Sequence, residues 1–310
     1  MQVDWNGPGD VVADLLRSGY LADSSLATAV FLSAKMNLPL YLEGEPGVGK
    51  TALAIAVANA VHRPLIRLQC YEGIDRESAL YDWNYPRQLM HVRLAESSGR
   101  TVDAAIEDEL YSERYLIARP LLQAISPKGP APVLLIDEID RSDDEFEAFL
   151  LEVLSEFQVT IPEIGTIRAV EYPLVFLTSN RSREVHEALK RRCLYQWLPY
   201  PTFDRELAIV TRLYQDLPQD LAMTLVNMVQ RLRQEPLHKA PGIAETLDWA
   251  KAVGILSKTK LSPAVVEETL GCLIKYREDL ERLTAVQTPL GSKLEQILKD
   301  VGLADGTRSL

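Results

Sequence analysis

The sequence predicts an α/β fold: a three-layered αβα sandwich around a five-stranded parallel sheet, followed by a smaller all-helical region. Three observations carry this expectation. Up to about residue 200, short apolar runs alternate with segments of helical periodicity, the pattern of a parallel sheet covered on both faces. Runs such as Val133–Ile136 and Leu174–Thr178 suit strands buried in such a sheet. Beyond Pro199 and Pro201 only helical periodicity remains. Residues 1–200 are therefore read as one domain and 201–310 as a second.

Taken in order, residues 10–36 read as helix. Asp23 is placed to cap a segment whose apolar residues Leu26, Ala29, Val30, Phe31 and Met36 fall at helical spacing. Leu38–Leu42 is a short apolar run ending in a glycine-rich turn, the mark of a buried strand. Lys50–Val61 is alanine-rich and helix-prone, and Leu65–Cys70 reads as a second strand. Across residues 71–115, Tyr71, Tyr81, Trp83 and Tyr85 cluster among charges, and Pro86 is expected to break any helix. A short helix, an irregular insertion and a further helix are expected there. Residues 112–126 look helical, with Pro120 beginning or kinking a turn, and Pro127–Pro132 reads as loop.

Val133–Ile136 is the clearest strand, and Asp144–Phe157 an amphipathic helix. Val159, Ile161 and Ile167 alternate around a turn at Glu163–Gly165, which predicts a hairpin within about 158–172. Leu174–Thr178 is the fourth core strand, Arg183–Lys190 a short helix and Leu194–Leu198 the fifth strand. From Asp204 to about Val301 no further strand is expected. Ser262 caps a helix there, with Pro263 at its first position and Glu267 and Glu268 in the early turns.

Composition narrows the classes. Of 310 residues, 47% are hydrophobic and 25% charged, ordinary for a globular chain with a sizeable core. The net charge of -11 and the absence of a basic stripe make nucleic acid a poor partner. An acidic exterior also repels anionic lipid. Cys70, Cys193 and Cys272 are odd in number and widely spaced, which suits reduced thiols better than disulfides or zinc. Cys193 reads as a packed strand-edge residue. The start, MQVDWNGPGD, has no basic and no apolar signal region, and no apolar run is long enough to cross a bilayer. A cytoplasmic location is expected.

The chemistry concentrates in four short stretches. Gly44-Glu45-Pro46-Gly47-Val48-Gly49-Lys50-Thr51 matches G-x-x-x-x-G-K-[ST] and stands between a predicted strand and a predicted helix that opens through Ala52. Glycines let backbone N–H groups turn inward around phosphate oxygens, and the following helix directs its positive end at them. Lys50 should reach the β- and γ-phosphates of ATP, and Thr51 should ligate magnesium. The Val133–Glu138 run ends in two carboxylates: Asp137 to hold magnesium through water, and Glu138 to polarise the attacking water as general base. Asn180 ends the Leu174–Thr178 strand region, where it could orient that water or simply form a turn. Arg191 and Arg192 precede the fifth strand, either as an arginine supplied in trans to the transition state or as a solvated pair at a helix end.

Together the P-loop, the LLIDEID run, the TSN run and ALKRRCLYQWLPYP resemble an AAA+ ATPase of the MoxR group over residues 20–260 or so. The stretch Tyr71–Glu96, with its run from Tyr81 to Leu89, and the run Pro241–Trp249 resemble the subgroup typified by the carbon-monoxide-dehydrogenase accessory ATPase. The resemblance implies a P-loop core with a helical lid, an insertion at about 71–95, and a pre-sensor hairpin between Gln158 and Asn180. It makes Asn180 the sensor 1 residue and Arg192 the arginine finger, with Arg191 beside it. It implies ring hexamers, a partner carrying a von Willebrand factor A domain, and remodelling of a client protein, often to mature a metal centre. One departure stands out: where the family carries a sensor 2 arginine, this chain has Ala240-Pro241-Gly242-Ile243-Ala244-Glu245, leaving Lys239 as a substitute or the contact absent. Two other readings remain on the same sequence: a nucleotide-gated binding module with little hydrolysis, and a nucleic-acid translocase. Tyr81, Trp83 and Tyr85 are read as packing the insertion onto the domain rather than as a docking surface.

Overall fold

Residues 4–97, 109–256, 260–288 and 291–303 are described by the computed structural model. Its strands are β1 (Leu40–Gly44), β2 (Leu65–Gln69), β3 (Tyr81–Trp83), β4 (Leu116–Ala118), β5 (Val133–Asp137), β6 (Gln158–Ile161), β7 (Gly165–Arg168), β8 (Leu174–Ser179), β9 (Leu194–Leu198), β10 (Val286–Thr288) and β11 (Gly291–Ser292). The central sheet has the order β2-β5-β8-β1-β9. The ladders β2–β5, β5–β8 and β1–β8 are parallel. All of β1, β5 and β8 is buried, as their apolar runs require. β2 lies at the edge and is only partly buried, and its register sets Gln69 opposite Asp137. The carboxyl ends of β1, β5 and β8 are where a parallel sheet presents its ligand-facing residues.

The chain divides into two compact units, Met1–Gly44 with Lys50–Trp197 and Glu45–Gly49 with Leu198–Leu310. The first unit packs Tyr41, Leu134, Ile136, Phe146, Leu150 and Leu177 into its core. The second gathers the helices Phe203–Leu213, Gln219–Leu232, Ile243–Leu256, Pro263–Thr269, Arg277–Thr284 and Lys293–Asp300. Trp249, Leu225, Val229 and Ile297 are among the residues at its centre. Within it, the fully buried Glu206 carboxylate takes both ends of the Arg233 guanidinium at 2.6 and 2.7 Å. The same carboxylate accepts from Gln230 Nε2 at 2.7 Å and Thr246 Oγ1 at 2.6 Å, so every lone pair that burial strips of water is answered.

Several expectations change. Residues 10–36 form two helices, Pro8–Arg17 and Ser24–Met36. The first closes on Gly19 at φ +85, with Tyr20 N donating to Leu15 O at 2.8 Å, a C-terminal lock that stops a helix even where apolar spacing continues. Asp23 then caps the second, accepting from Leu26 N at 2.8 Å. Pro86 does not break a helix. It stands in the first turn of Tyr85–Ser97, where its missing N–H has no intrahelical partner to lose. The helix expected over 112–126 is instead strand β4 followed by Pro120–Ile125, which begins at Pro120. β4 pairs antiparallel with β3, a contact made across a long stretch of sequence. Residues 98–108, within the 71–115 stretch, lie outside the described residues. The helix read as Arg183–Lys190 is shortened to Glu187–Lys190, because Arg183 reaches back to Ser142 O and to the carboxylates of Asp144 and Glu147. The region after Asp204 is not wholly helical: β10 and β11 form a small antiparallel pair.

Candidate functional site

The site grows from the end of β5. Its last residue, Asp137, is a carboxylate only 2% exposed. Thr51 Oγ1, in the first turn of the Lys50–Ala60 helix, lies 3.0 and 3.2 Å from the two Asp137 oxygens. Thr178 on β8 donates to Asp137 Oδ1 at 2.5 Å, and its same oxygen accepts the Glu138 N–H at 2.9 Å. Lys50 is buried, with Nζ donating to Gly44 O at 2.7 Å. One hydroxyl on the neighbouring strand thus fixes both members of the Asp-Glu pair.

Glu138 turns out of the strand at φ 57 and ψ 51, a left-handed conformation that costs a non-glycine residue about 1–3 kcal/mol and persists where its surroundings hold it. Its side chain is held from three sides. Gln69 Nε2 donates to Oε2 at 3.0 Å, Arg141 Nε lies 3.0 Å from the same oxygen, and Asn180 Nδ2 donates to Oε1 at 3.4 Å. The turn carrying Asn180 is itself locked. Buried Asp140 accepts from Asn180 N at 3.3 Å, from Ser182 N at 2.8 Å and from Ser182 Oγ at 2.6 Å. Arg67 on β2 donates through Nη2 to Asp137 Oδ2 at 2.5 Å and to Gln69 Oε1 at 2.5 Å.

Lys50, Thr51, Asp137, Glu138 and Asn180 are therefore neighbours through hydrogen bonds or chain continuity, as the motifs anticipate. Ala52 is a residue of the same helix. Arg191 and Arg192 are exposed and bonded elsewhere: Arg191 to Glu187 at 2.6 Å, one helical turn away, and Arg192 to Ser155 Oγ at 2.5 Å. Thr51 and Asp137 offer a hydroxyl and a carboxylate, the hard oxygen donors that suit magnesium, so the residues present fit that ion.

The remaining P-loop residues, Glu45, Pro46, Gly47, Val48 and Gly49, group with the second unit. Gly47 and Gly49 adopt φ +76 and φ +96, a conformation that L side chains avoid. Gly47 O accepts the N–H groups of Ile243 at 3.0 Å and Ala244 at 3.3 Å. A Cβ on Gly47 would stand 2.9 Å from Glu245 Oε2 and 3.3 Å from Gly242 Cα. Where the resemblance expects a sensor 2 arginine, the chain thus brings a backbone turn against the loop. Lys239 Nζ is 3.9 Å from Glu245 Oε1.

Sequence reasoning missed Arg67, Gln69, Thr178, Asp140 and Arg141. A signal for the first two was present: polar residues two apart on a strand share a face, and Arg67 and Gln69 interrupt an otherwise apolar run. The aromatic insertion residues divide. Trp83 is buried, edge-on to Tyr81 at 6.1 Å and Tyr111 at 5.3 Å, whereas Tyr85 is exposed. Burial pushes the Cys193 and Cys70 thiols up to about 12, so neither is a reactive thiolate at neutral pH.

Residues 40–197, half of the chain, match the profile of the ATPase family associated with various cellular activities, AAA. Among curated proteins, Lon protease of Helicobacter pylori strain 26695 is 31% identical over 125 residues, covering 39% of this chain and 12% of that protein. The Lon protease of strain J99 matches similarly, 31% over 123 residues. The match spans only about an eighth of those relatives. Among solved structures, the RuvB Holliday junction branch migration motor of Thermotoga maritima is 18% identical, covering 90% of this chain and 80% of its own, with a TM-score of 0.46. A protein of Cytophaga hutchinsonii, provisionally described as an ATPase, is 14% identical with a TM-score of 0.48, covering 96% of this chain and 95% of its own. No helix among the described residues is long and apolar enough to cross a membrane.

Proposed function

Because the chain belongs to the AAA family of ATPases, we propose that it binds ATP with magnesium and hydrolyses it at the Lys50–Thr51–Asp137–Glu138 site. The observation that carries this is the meeting of the P-loop threonine and the strand-end aspartate, 3.0 Å apart, with Glu138 as the next residue. In this reading the backbone of Glu45 to Gly49 cradles the phosphates, and Ala52 extends the cradle into the helix. Lys50 exchanges its bond to Gly44 O for the β- and γ-phosphates. Thr51 and Asp137 would hold magnesium, which when bound neutralises charge on the phosphate oxygens. Glu138 takes a proton from the attacking water, and Asn180, bonded to Glu138, orients that water against the γ-phosphate.

The finer assignment rests on resemblance. We take residues 1–200 as a nucleotide-binding core and 201–310 as a helical lid. The protein would be a MoxR-type motor, working as a homo-oligomeric, hexameric ring in the cytoplasm. Arg192, with Arg191 beside it, would complete the site of the next subunit. Exposure of both arginines is compatible with a role in trans. A von Willebrand factor A domain protein would be its partner, and hydrolysis would move the insertion and the β6–β7 hairpin against a client protein.

Binding is tested by titrating a fluorescent ATP analogue into the parent chain and into Lys50→Ala. Saturable binding by the parent, weakened at least about a hundredfold in the variant, is expected from the loss of a charge-assisted phosphate contact. Equal affinities would refute the assignment of Lys50.

A further inference from the structure

Asp137 has almost no exposure to water, and a buried carboxylate without a cationic partner is costly. In the structure that partner is Arg67, whose Nη2 sits 2.5 Å from Asp137 Oδ2. The same oxygen is 3.2 Å from Thr51 Oγ1, so the guanidinium and the P-loop threonine converge on one carboxylate. A magnesium ion held there by Thr51 and, through water, by Asp137 would bring a second positive charge to the same carboxylate. It would then compete with the guanidinium for a carboxylate that is itself almost out of reach of water.

The arginine is built to leave. Its side chain is 51% exposed, and its strand is the edge of the sheet. Its stem can carry the charge into solvent without disturbing the strand. It is also aimed rather than loose: Nη2 bonds Gln69 Oε1 at 2.5 Å, and Gln69 Nε2 bonds Glu138 Oε2 at 3.0 Å. Two side chains of β2, on one face of the strand, thereby hold the carboxylate that ligates the metal and the carboxylate that activates water.

We infer that Arg67 is a counter-cation of the metal site, a positioning residue that pairs with Asp137 and competes with a divalent cation for that carboxylate. This rests on the reading of Thr51 and Asp137 as the magnesium ligands. Removing Arg67 removes the competitor, so the metal affinity of the site rises while Asp137 and Thr51 stay in place.

The test is a titration of Mn²⁺ into the full chain with stoichiometric ADP, free Mn²⁺ being read by its paramagnetic resonance amplitude. Arg67→Ala is expected to bind Mn²⁺ about fivefold to tenfold more tightly than the parent, the worth of a half-exposed ion pair. Arg67→Lys keeps a cation beside Asp137 and is expected to stay within about twofold of the parent. A general loosening of the strand edge would instead move both variants alike, and that result would overturn the inference. So would an Arg67→Ala affinity equal to or weaker than the parent's. A parent chain that binds no Mn²⁺ beyond what ADP alone takes up would overturn the metal-site reading itself, and this inference with it.

Discussion

Thr178→Val removes one oxygen from the end of β8 and keeps the shape of the side chain. In the structure that oxygen donates to Asp137 Oδ1 at 2.5 Å and accepts from Glu138 N at 2.9 Å, with Thr178 only 1% exposed. The bond to an ionised carboxylate is worth about 1.5–3 kcal/mol, and leaving a peptide N–H unpaired costs about 1–3 kcal/mol. Water can reach half-buried Glu138 but not Asp137, so a loss near the lower part of the sum, about 3 kcal/mol, is expected. With a urea dependence of about 2 kcal/mol/M, the unfolding midpoint by circular dichroism should fall by about 1.5 M. Turnover should fall at least about tenfold, because Glu138 loses the contact that holds its left-handed turn, while ATP affinity changes little. Thr178→Ser restores the hydroxyl and should recover most of both losses. A valine variant with the parent's midpoint and the parent's turnover would refute the claim that this hydroxyl organises the two carboxylates.

If Arg192 completes a neighbour's site, the ATPase rate per chain climbs with protein concentration in the parent and stays low and flat in Arg192→Ala; a constant rate indifferent to the substitution would remove the trans assignment. Glu206→Ala strands the Arg233 guanidinium, 7% exposed, without its carboxylate. Breaking a buried pair of this kind costs about 3–5 kcal/mol, so thermal unfolding monitored by circular dichroism should move down by many degrees, and an unmoved transition would contradict the packing described.

The P-loop and the Asp-Glu pair were legible because each is local: the residues that must act together are adjacent in sequence, and a strand and a helix flank them. Apolar runs such as Val133–Ile136 marked the core strands for the same reason. What could not be read was pairing at a distance. β3 and β4 are three residues each, too short to carry an alternation, and become strands only by meeting each other. Pro86 misled because the same residue that breaks a helix interior is at home in its first turn. Gly19 ends a helix inside a segment whose apolar spacing continues beyond it, so periodicity alone runs through the break. Gln69 and Arg67 belong to the site through the β2–β5 register, which sequence periodicity does not supply. Thr178 lies within the run that Asn180 singles out, yet nothing in the sequence says that its hydroxyl reaches across to β5.

The central claim is that Glu138 activates water against ATP held by Lys50, Thr51 and Asp137. Its most direct measurement is phosphate release from ATP with magnesium present, for the parent and for Glu138→Gln, each paired with a binding titration. The account predicts that the glutamine variant binds ATP like the parent and releases phosphate at least about a hundredfold more slowly, since an amide keeps the hydrogen bonds but cannot take the proton. A Glu138→Gln variant that hydrolyses at the parent rate would contradict it.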